Sequence, residues 1–222
     1  MSSVTLIGVT APRIEGVDSA EELVAYAARV SNPSNQLNSG TSSKLLAYLM
    51  KHRHWSPFEM VHVLMEINTT RDIGRQILRH RSFSFQEFSQ RYALATDLGF
   101  ECREARMQDP KNRQASNETD DEELANLWTR VQTYVQLEAE NAYTWAIDNG
   151  IAKEQARVVL PEGMIKSRMY MSGTLRSWIH YCDVRVPIDT QKEHRIIAEQ
   201  AKAILAKEFP SIASLLETNG KQ

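Results

Sequence analysis

Arg75-Gln76-Ile77-Leu78-Arg79-His80-Arg81-Ser82-Phe83-Ser84-Phe85-Gln86-Glu87-Phe88-Ser89-Gln90-Arg91-Tyr92 is the stretch on which the reading of this chain turns. It begins on a helical period and ends on an extended one. Arg71, Arg75 and Arg79 stand four apart, so a helix over residues 71–80 lines them along one face and leaves Ile73 and Ile77 for another. Thr69 or Thr70 is placed to cap it. Phe83 and Phe85 then alternate with polar residues, the period of an extended segment running to Tyr92. Within the stretch, Arg75, Arg79, Arg81 and Arg91 are opposed in charge only by Glu87.

Outward on the N-terminal side, residues 4–9 predict a strand, and Asp18-Ser19 predicts the start of a helix through Val30 that Asn32-Pro33 breaks. Ser42 or Ser43 caps a second helix through Met50. Residues 52–59 follow as an irregular loop in which Pro57 biases Ser56 towards extended geometry. Residues 60–68 are rich in apolar alternation and predict a strand. On the C-terminal side, residues 100–107 predict a strand and residues 108–117 a mobile surface loop. A long helix then runs from Thr119 to Ile147 and ends at Asn149-Gly150. A short helix over residues 153–160 stops at Pro161. Residues 164–171 predict a strand, and Thr174 opens a helix to Cys182. Asp189 caps a last long helix, which Pro210 closes. The mixture predicts an α+β fold. Its expected form is a mixed or antiparallel sheet packed with several helices, two of them long, in a single compact domain over residues 1–222.

The formal net charge is −2 over 222 residues, which excludes a global basic field for duplex nucleic acid or acidic membrane. Anion binding must therefore come from a local cluster. The N-terminus has no basic leader, and no apolar run approaches spanning length, so a cytoplasmic location is expected. Cys102 and Cys182 form no CxxC pair, and neither stands beside a clear activating group. No Gly-x-Gly-x-x-Gly follows a predicted strand, and no GxxxxGK[ST] occurs, so Rossmann and P-loop nucleotide binding are not expected. His52-x-His54 lacks a credible ligand set, so no metal is expected.

Arginine suits a phosphate or carbonyl oxygen, because its planar fork donates two hydrogen bonds and keeps its charge when partly buried. The Phe88-Ser89-Gln90-Arg91-Tyr92 turn adds a hydroxyl and backbone N–H donors. A solvated helix face with surface salt bridges is the plain alternative. The spacing Arg79-His80-Arg81-x-x-Ser84-x-Gln86-Glu87-x-Ser89-x-Arg91-Tyr92 resembles the RHRxxSxNExSxRY signature of flavin-dependent thymidylate synthases, with Gln86 where that pattern has Asn. Lys51 to Glu59 resembles a second block of that family, Glu154 to Pro161 a third, and Thr174 to Arg185 a fourth. The resemblance covers about residues 22 to 200 in order.

The resemblance implies that dUMP becomes dTMP with 5,10-methylenetetrahydrofolate as one-carbon donor and FAD, reduced by NADPH, as hydride source. It assigns dUMP to Gln76, Arg79, Glu87, Phe88, Ser89, Gln90, Arg91, Arg157 and Arg185. It assigns FAD to Ser56, Glu59, Arg79, His80, Arg81, Glu87, Thr174, Arg176 and His180. Arg185, Ser89 and His54 are the implied catalytic set, with Arg185 polarising the uracil ring. A homotetramer with active sites between subunits is implied, with no nucleic acid or membrane partner. Where the family often has a histidine after Arg185, this chain has Asp189. Two other readings remain. One is a non-enzymatic nucleotide or single-stranded RNA binder stacking bases on Phe83, Phe85 and Phe88. The other is a hydrolase built on Ser89 and His80, which requires those two side chains to meet.

Overall fold

The computed structural model describes residues 2–218. Along the chain run β1 (Ser3–Val9), α1 (Ala20–Ala28), α2 (Ser42–Lys51), β2 (His62–Thr70), α3 (Arg71–Ile77), β3 (Phe83–Glu87), β4 (Arg106–Gln108), β5 (Ser116–Glu118), α4 (Glu122–Asp148), α5 (Lys153–Ala156), β6 (Lys166–Thr174), α6 (Leu175–Arg185), α7 (Lys192–Glu208) and α8 (Pro210–Thr218). The main sheet is antiparallel throughout, in the order β1-β2-β6-β3. The expected α+β class is therefore the observed one, and α4 and α7 are the two long helices, with 27 and 17 residues.

Alternation decides which side of the sheet is covered. Val63, Met65 and Ile67 of β2 and Met169 and Met171 of β6 point inward and are fully buried. Burial of each such side chain contributes about 2 kcal/mol. Against them pack Leu46 of α2, Trp178 and Tyr181 of α6, Ile197 of α7 and Ile212 of α8. The opposite face carries Glu66, Asn68, Arg168 and Tyr170, tied by an Arg168 Nε to Asn68 Oδ1 bond of 2.9 Å. Trp178 donates its indole N–H to the Val63 carbonyl at 3.0 Å, which pins α6 to the sheet.

Two glycines set how closely the elements meet. A Cβ on Gly74 would lie 2.9 Å from Met169 Cε, so its absence lets α3 rest on β6. A Cβ on Gly173 would lie 2.4 Å from Phe83 Cδ1, so the Phe83 ring occupies the space beside its register partner.

Several boundaries differ from the sequence expectation. Helix α1 ends at Ala28, short of Val30, and α3 ends at Ile77, so Arg79 and His80 lie in the turn beyond it. The long expected strand at residues 100–107 shrinks to β4 plus an isolated bridge from Phe100 to Ile165. The expected loop at 108–117 is a hairpin, β4 paired with β5, closed by Asp109 Oδ1 accepting from the Lys111 and Asn112 amides. Residues 153–160 divide into α5 and a 3₁₀ turn, Arg157–Val159. Strand β6 runs on to Thr174, whose hydroxyl accepts from the Ser177 amide and so caps α6 as expected. The caps assigned to Ser42 or Ser43 and to Asp189 fall instead on Thr41 and Gln191, and neither makes a side-chain capping bond. Helix α7 ends at Glu208, just before Pro210 as expected, and the same proline opens α8, because proline at a first helical position lacks only an N–H that would find no partner there.

Candidate functional site

Part of the expected site gathers around two cavities and a polar file of side chains. Strand β2 passes straight into α3, which brings Arg71 and Arg75 over the end of β3. There Glu87 accepts from Ser167 Oγ at 2.9 Å and faces Arg71 and Arg75 at 3.7 and 3.5 Å. Beside them lies a cavity of about 440 Å³ walled by Arg71, Arg75, Gln90, Glu154, Arg157 and Glu162, among others. Gln90 is 4% exposed, and its amide nitrogen finds no acceptor among the described residues. A buried donor without an acceptor is costly, so a wall with three guanidiniums and such an amide fits an anionic, oxygen-rich ligand. The two acids temper it: Arg75 reaches Glu162 at 3.2 Å and Arg91 reaches Glu154 at 3.1 Å. Counting acids within the arginine stretch alone missed both, because they arrive from some seventy residues further along the chain. Glu154 thus serves Arg91 rather than forming a local helical pair with Arg157.

The second cavity, about 870 Å³, opens between the end of α2 and α6. Lys51, Arg53, Trp55, Glu59, Ser82, Arg176, Ser177, His180 and Asp183 contribute to its wall. Glu59 and Arg176 are paired across it. Arg53 has φ of 57°, the left-handed region that a non-glycine residue occupies at a cost of roughly 1 kcal/mol. That turn lets the His54 amide return to the Leu49 carbonyl at 2.8 Å and aims the chain into the 3₁₀ turn Ser56–Met60. Cationic groups beside an aromatic ring, in a space of this size, fit a large phosphorylated cofactor.

Behind these cavities, Arg185 Nε donates to His80 Nε2 at 3.0 Å. Burial, with Arg185, His180 and Arg79 adding to it, holds His80 down at about 4. His80 is therefore a neutral acceptor at physiological pH. His194, fully buried on α7, lies within 3.2 Å of Gln76 Oε1 through Nδ1 and 3.1 Å of the Tyr181 hydroxyl through Nε2. Burial first, then Arg185 and His80, takes His194 to about 3. Burial also pushes the Cys182 thiol up to about 12, and Cys102 is a free, exposed thiol.

The expected residues divide accordingly. Gln90 and Arg157 share the smaller cavity, with Glu87 beside it and Arg91 at its rim. Glu59, Arg176 and His180 share the larger one. Gln76, His80 and Arg185 meet around His194. Arg79, Arg81, Ser56, Ser89 and His54 are exposed and Phe88 is half-buried, and neither cavity wall includes them. His54 stands 6.1 Å from the Tyr48 ring. Thr174 spends its hydroxyl on Ser177. His80 faces Arg185 rather than Ser89, which removes the contact a Ser–His hydrolase needs. Sequence reasoning missed Arg53 and His194. A left-handed arginine leaves no mark in a sequence, and a buried histidine at one helix position looks like any other.

Residues 14–211 match the family described as thymidylate synthase complementing protein. A probable flavin-dependent thymidylate synthase of Paramecium bursaria Chlorella virus 1 is 49% identical over 215 residues, covering 97% of this chain and 99% of that protein. A flavin-dependent thymidylate synthase of Synechocystis sp. is 50% identical over 217 residues, covering 96% and 99%. The chain belongs to the flavin-dependent thymidylate synthase family. The fold is similar to the crystal structure of the UMP/dUMP methylase PolB from Streptomyces cacaoi bound with 5-Br dUMP, at TM-score 0.81 and 29% identity over 100% of this chain and 97% of that one. Every residue of the arginine stretch lies inside the segment this family matches.

Proposed function

We propose that the chain converts dUMP to dTMP, taking its carbon from 5,10-methylenetetrahydrofolate and its hydride from FAD reduced by NADPH. The observation that carries this reading is the smaller cavity, where Arg71, Arg75 and Arg157 converge with the orphaned Gln90 amide. A nucleoside monophosphate supplies what those donors require. The larger cavity, with Lys51, Arg53, Arg176, Trp55 and His180, fits FAD. Bound and reduced, FAD supplies the hydride that no side chain can.

The chain's own residues supply positioning and charge. Arg185, held at Nε by neutral His80, keeps its terminal nitrogens for a uracil carbonyl, where they stabilise negative charge developing on the ring. Cys182, with its thiol at about 12, is no thiolate nucleophile at neutral pH, so activation of the ring falls to these donors. Ser89 and His54 lie at the surface, where a second copy of the chain could complete their surroundings. Helix α4 supports such an assembly. Leu124, Leu127, Trp128, Val131 and Val135 repeat at spacings of three and four and are all more than a third exposed. Stacked against copies of itself, that stripe gives the homotetramer. Among the described residues no helix is long and apolar enough to cross a membrane, which fits a cytoplasmic enzyme with residues 1–222 as one catalytic unit.

The purified chain is expected to carry a flavin absorption spectrum, bleached by NADPH and restored on turnover with dUMP and methylenetetrahydrofolate. Protein that neither takes up FAD nor binds dUMP overturns the reading. Mixing an Arg91 variant with a His54 variant restores activity if the sites are shared between copies, and unrestored mixed assemblies count against sharing.

A further inference from the structure

Helix α2 ends in a turn that ordinarily calls for glycine. The Arg53 amide donates to the Met50 carbonyl at 3.1 Å, and the His54 amide reaches back to the Leu49 carbonyl at 2.8 Å. With His52 as the C-cap, these are the paired bonds of a Schellman ending, whose next residue is left-handed. Arg53 holds that place at φ 57°. Glycine adopts it without the Cβ clash that arginine meets. Among the described residues every other positive φ belongs to a glycine: Gly16, Gly99 and Gly150.

Nothing in the turn itself compensates. A cation near a helix C-terminus offsets the dipole, but Lys51 already stands in the last turn of α2. Among the described residues the Arg53 guanidinium bonds no terminal carbonyl and pairs with no carboxylate, whereas Arg176 is occupied by Glu59. The exposed Arg53 side chain instead lines the cavity of about 870 Å³, beside Lys51 and Trp55. Three cations on that wall, Lys51, Arg53 and Arg176, face the acids Glu59 and Asp183. A planar fork with its donors unspent, next to a second cation, suits phosphate oxygens.

We propose that Arg53 is a binding residue for the pyrophosphate of FAD: the left-handed turn sets its guanidinium on the wall of the larger cavity, where Lys51 adds a second positive charge. The inference rests on the FAD reading above and gives it a contact that family resemblance does not assign. The conformational cost at Arg53 is then met by the ligand and not by the fold, so the empty chain holds a strain that binding offsets.

The test uses the full chain stripped of flavin and titrated with FAD. Arg53→Gly is the informative change, because glycine keeps the left-handed turn and the path of the chain into His54 while removing the guanidinium. FAD is expected to bind at least tenfold more weakly to Arg53→Gly, and the urea midpoint of the empty variant should equal or exceed that of wild type. Arg53→Lys keeps a charge without the fork and should fall between the two. The gap between wild type and Arg53→Gly should narrow as salt rises from about 50 to about 500 mM, because screening acts on the charge that was removed. Unchanged FAD affinity in Arg53→Gly overturns the proposal, even where reduction by NADPH is slower. Weaker binding with a lowered urea midpoint overturns it too, since the arginine would then be holding the turn. So does a lysine variant no better than glycine together with a gap indifferent to salt. A wild-type chain that takes up no FAD rejects the cofactor reading itself, whereas wild-type uptake with an unaffected variant rejects only the role of Arg53.

Discussion

Acidification from pH 7 to pH 5 should destabilise the native protein through two histidines before its carboxylates begin to titrate. An ordinary histidine titrates at 6.5, whereas burial, reinforced by Arg185, takes His194 to about 3 and His80 to about 4. Below 6.5 the unfolded chain takes up a proton at each ring and the native chain does not. The unfolded state then binds more protons, so stability falls as pH falls. The contribution is complete above 6.5 and is lost progressively down to about 4 for His80 and about 3 for His194. For fully buried His194 the loss between pH 7 and pH 5 is about 2 kcal/mol, from roughly 1.4 kcal/mol per pH unit. His80 is half-exposed, and solvent screening reduces its share to about 1 kcal/mol. Urea unfolding at fixed protein concentration, repeated at pH 7, 6 and 5, measures the slope. Wild type should lose about 3 kcal/mol across that range and His194→Phe about 1 kcal/mol. Equal slopes in the two proteins would refute the reasoning, since His194 would then titrate alike in the native and unfolded chains.

Arg157→Ala should weaken dUMP binding roughly tenfold, the loss of one charge-assisted contact, while FAD uptake is retained; calorimetry with each ligand separates the two effects. Gly173→Ala drives a Cβ into Phe83, whose ring is wedged against Trp178 at 4.9 Å, and should cost about 1–3 kcal/mol in urea unfolding. An undiminished midpoint would mean that β3 yields more freely than its packing indicates. Val131→Asp puts a charge in the middle of the exposed stripe of α4 and should shift sedimentation from the proposed tetramer to smaller species, with the isolated chain remaining folded by circular dichroism.

Much of this fold could be read from the residues. The period-two run Phe83 to Glu87 is β3, the strand expected over residues 60–68 covers most of β2, and Thr174 caps α6, because each is decided by neighbours in sequence. The failures came where distant partners decide. Residues 108–117 read as a loop because their polarity is real, yet Asp109 gathers the turn amides and β5 returns to pair with β4. The arginine stretch announced an anion site, but its charge balance was misjudged, since Glu154 and Glu162 enter from the third dimension. His194 gave no signal at all. Only the folded arrangement of α3, α6 and α7 brings its ring between Gln76 and Tyr181.

No residue separates the end of β6 from the start of α6, and this one helix carries Arg176 and His180 at its first two turns and Arg185 at its end. At 1.5 Å per residue, those ends are about 14 Å apart on a stiff rod clamped to the sheet by the Trp178 indole. The separation between the proposed flavin contacts and the proposed pyrimidine contact is thereby a fixed length written into a helix rather than a quantity set by loops. Inserting a single residue between Thr174 and Leu175 would rotate all three side chains by about 100° at once, so at this junction the chain should tolerate substitution far better than any change in length.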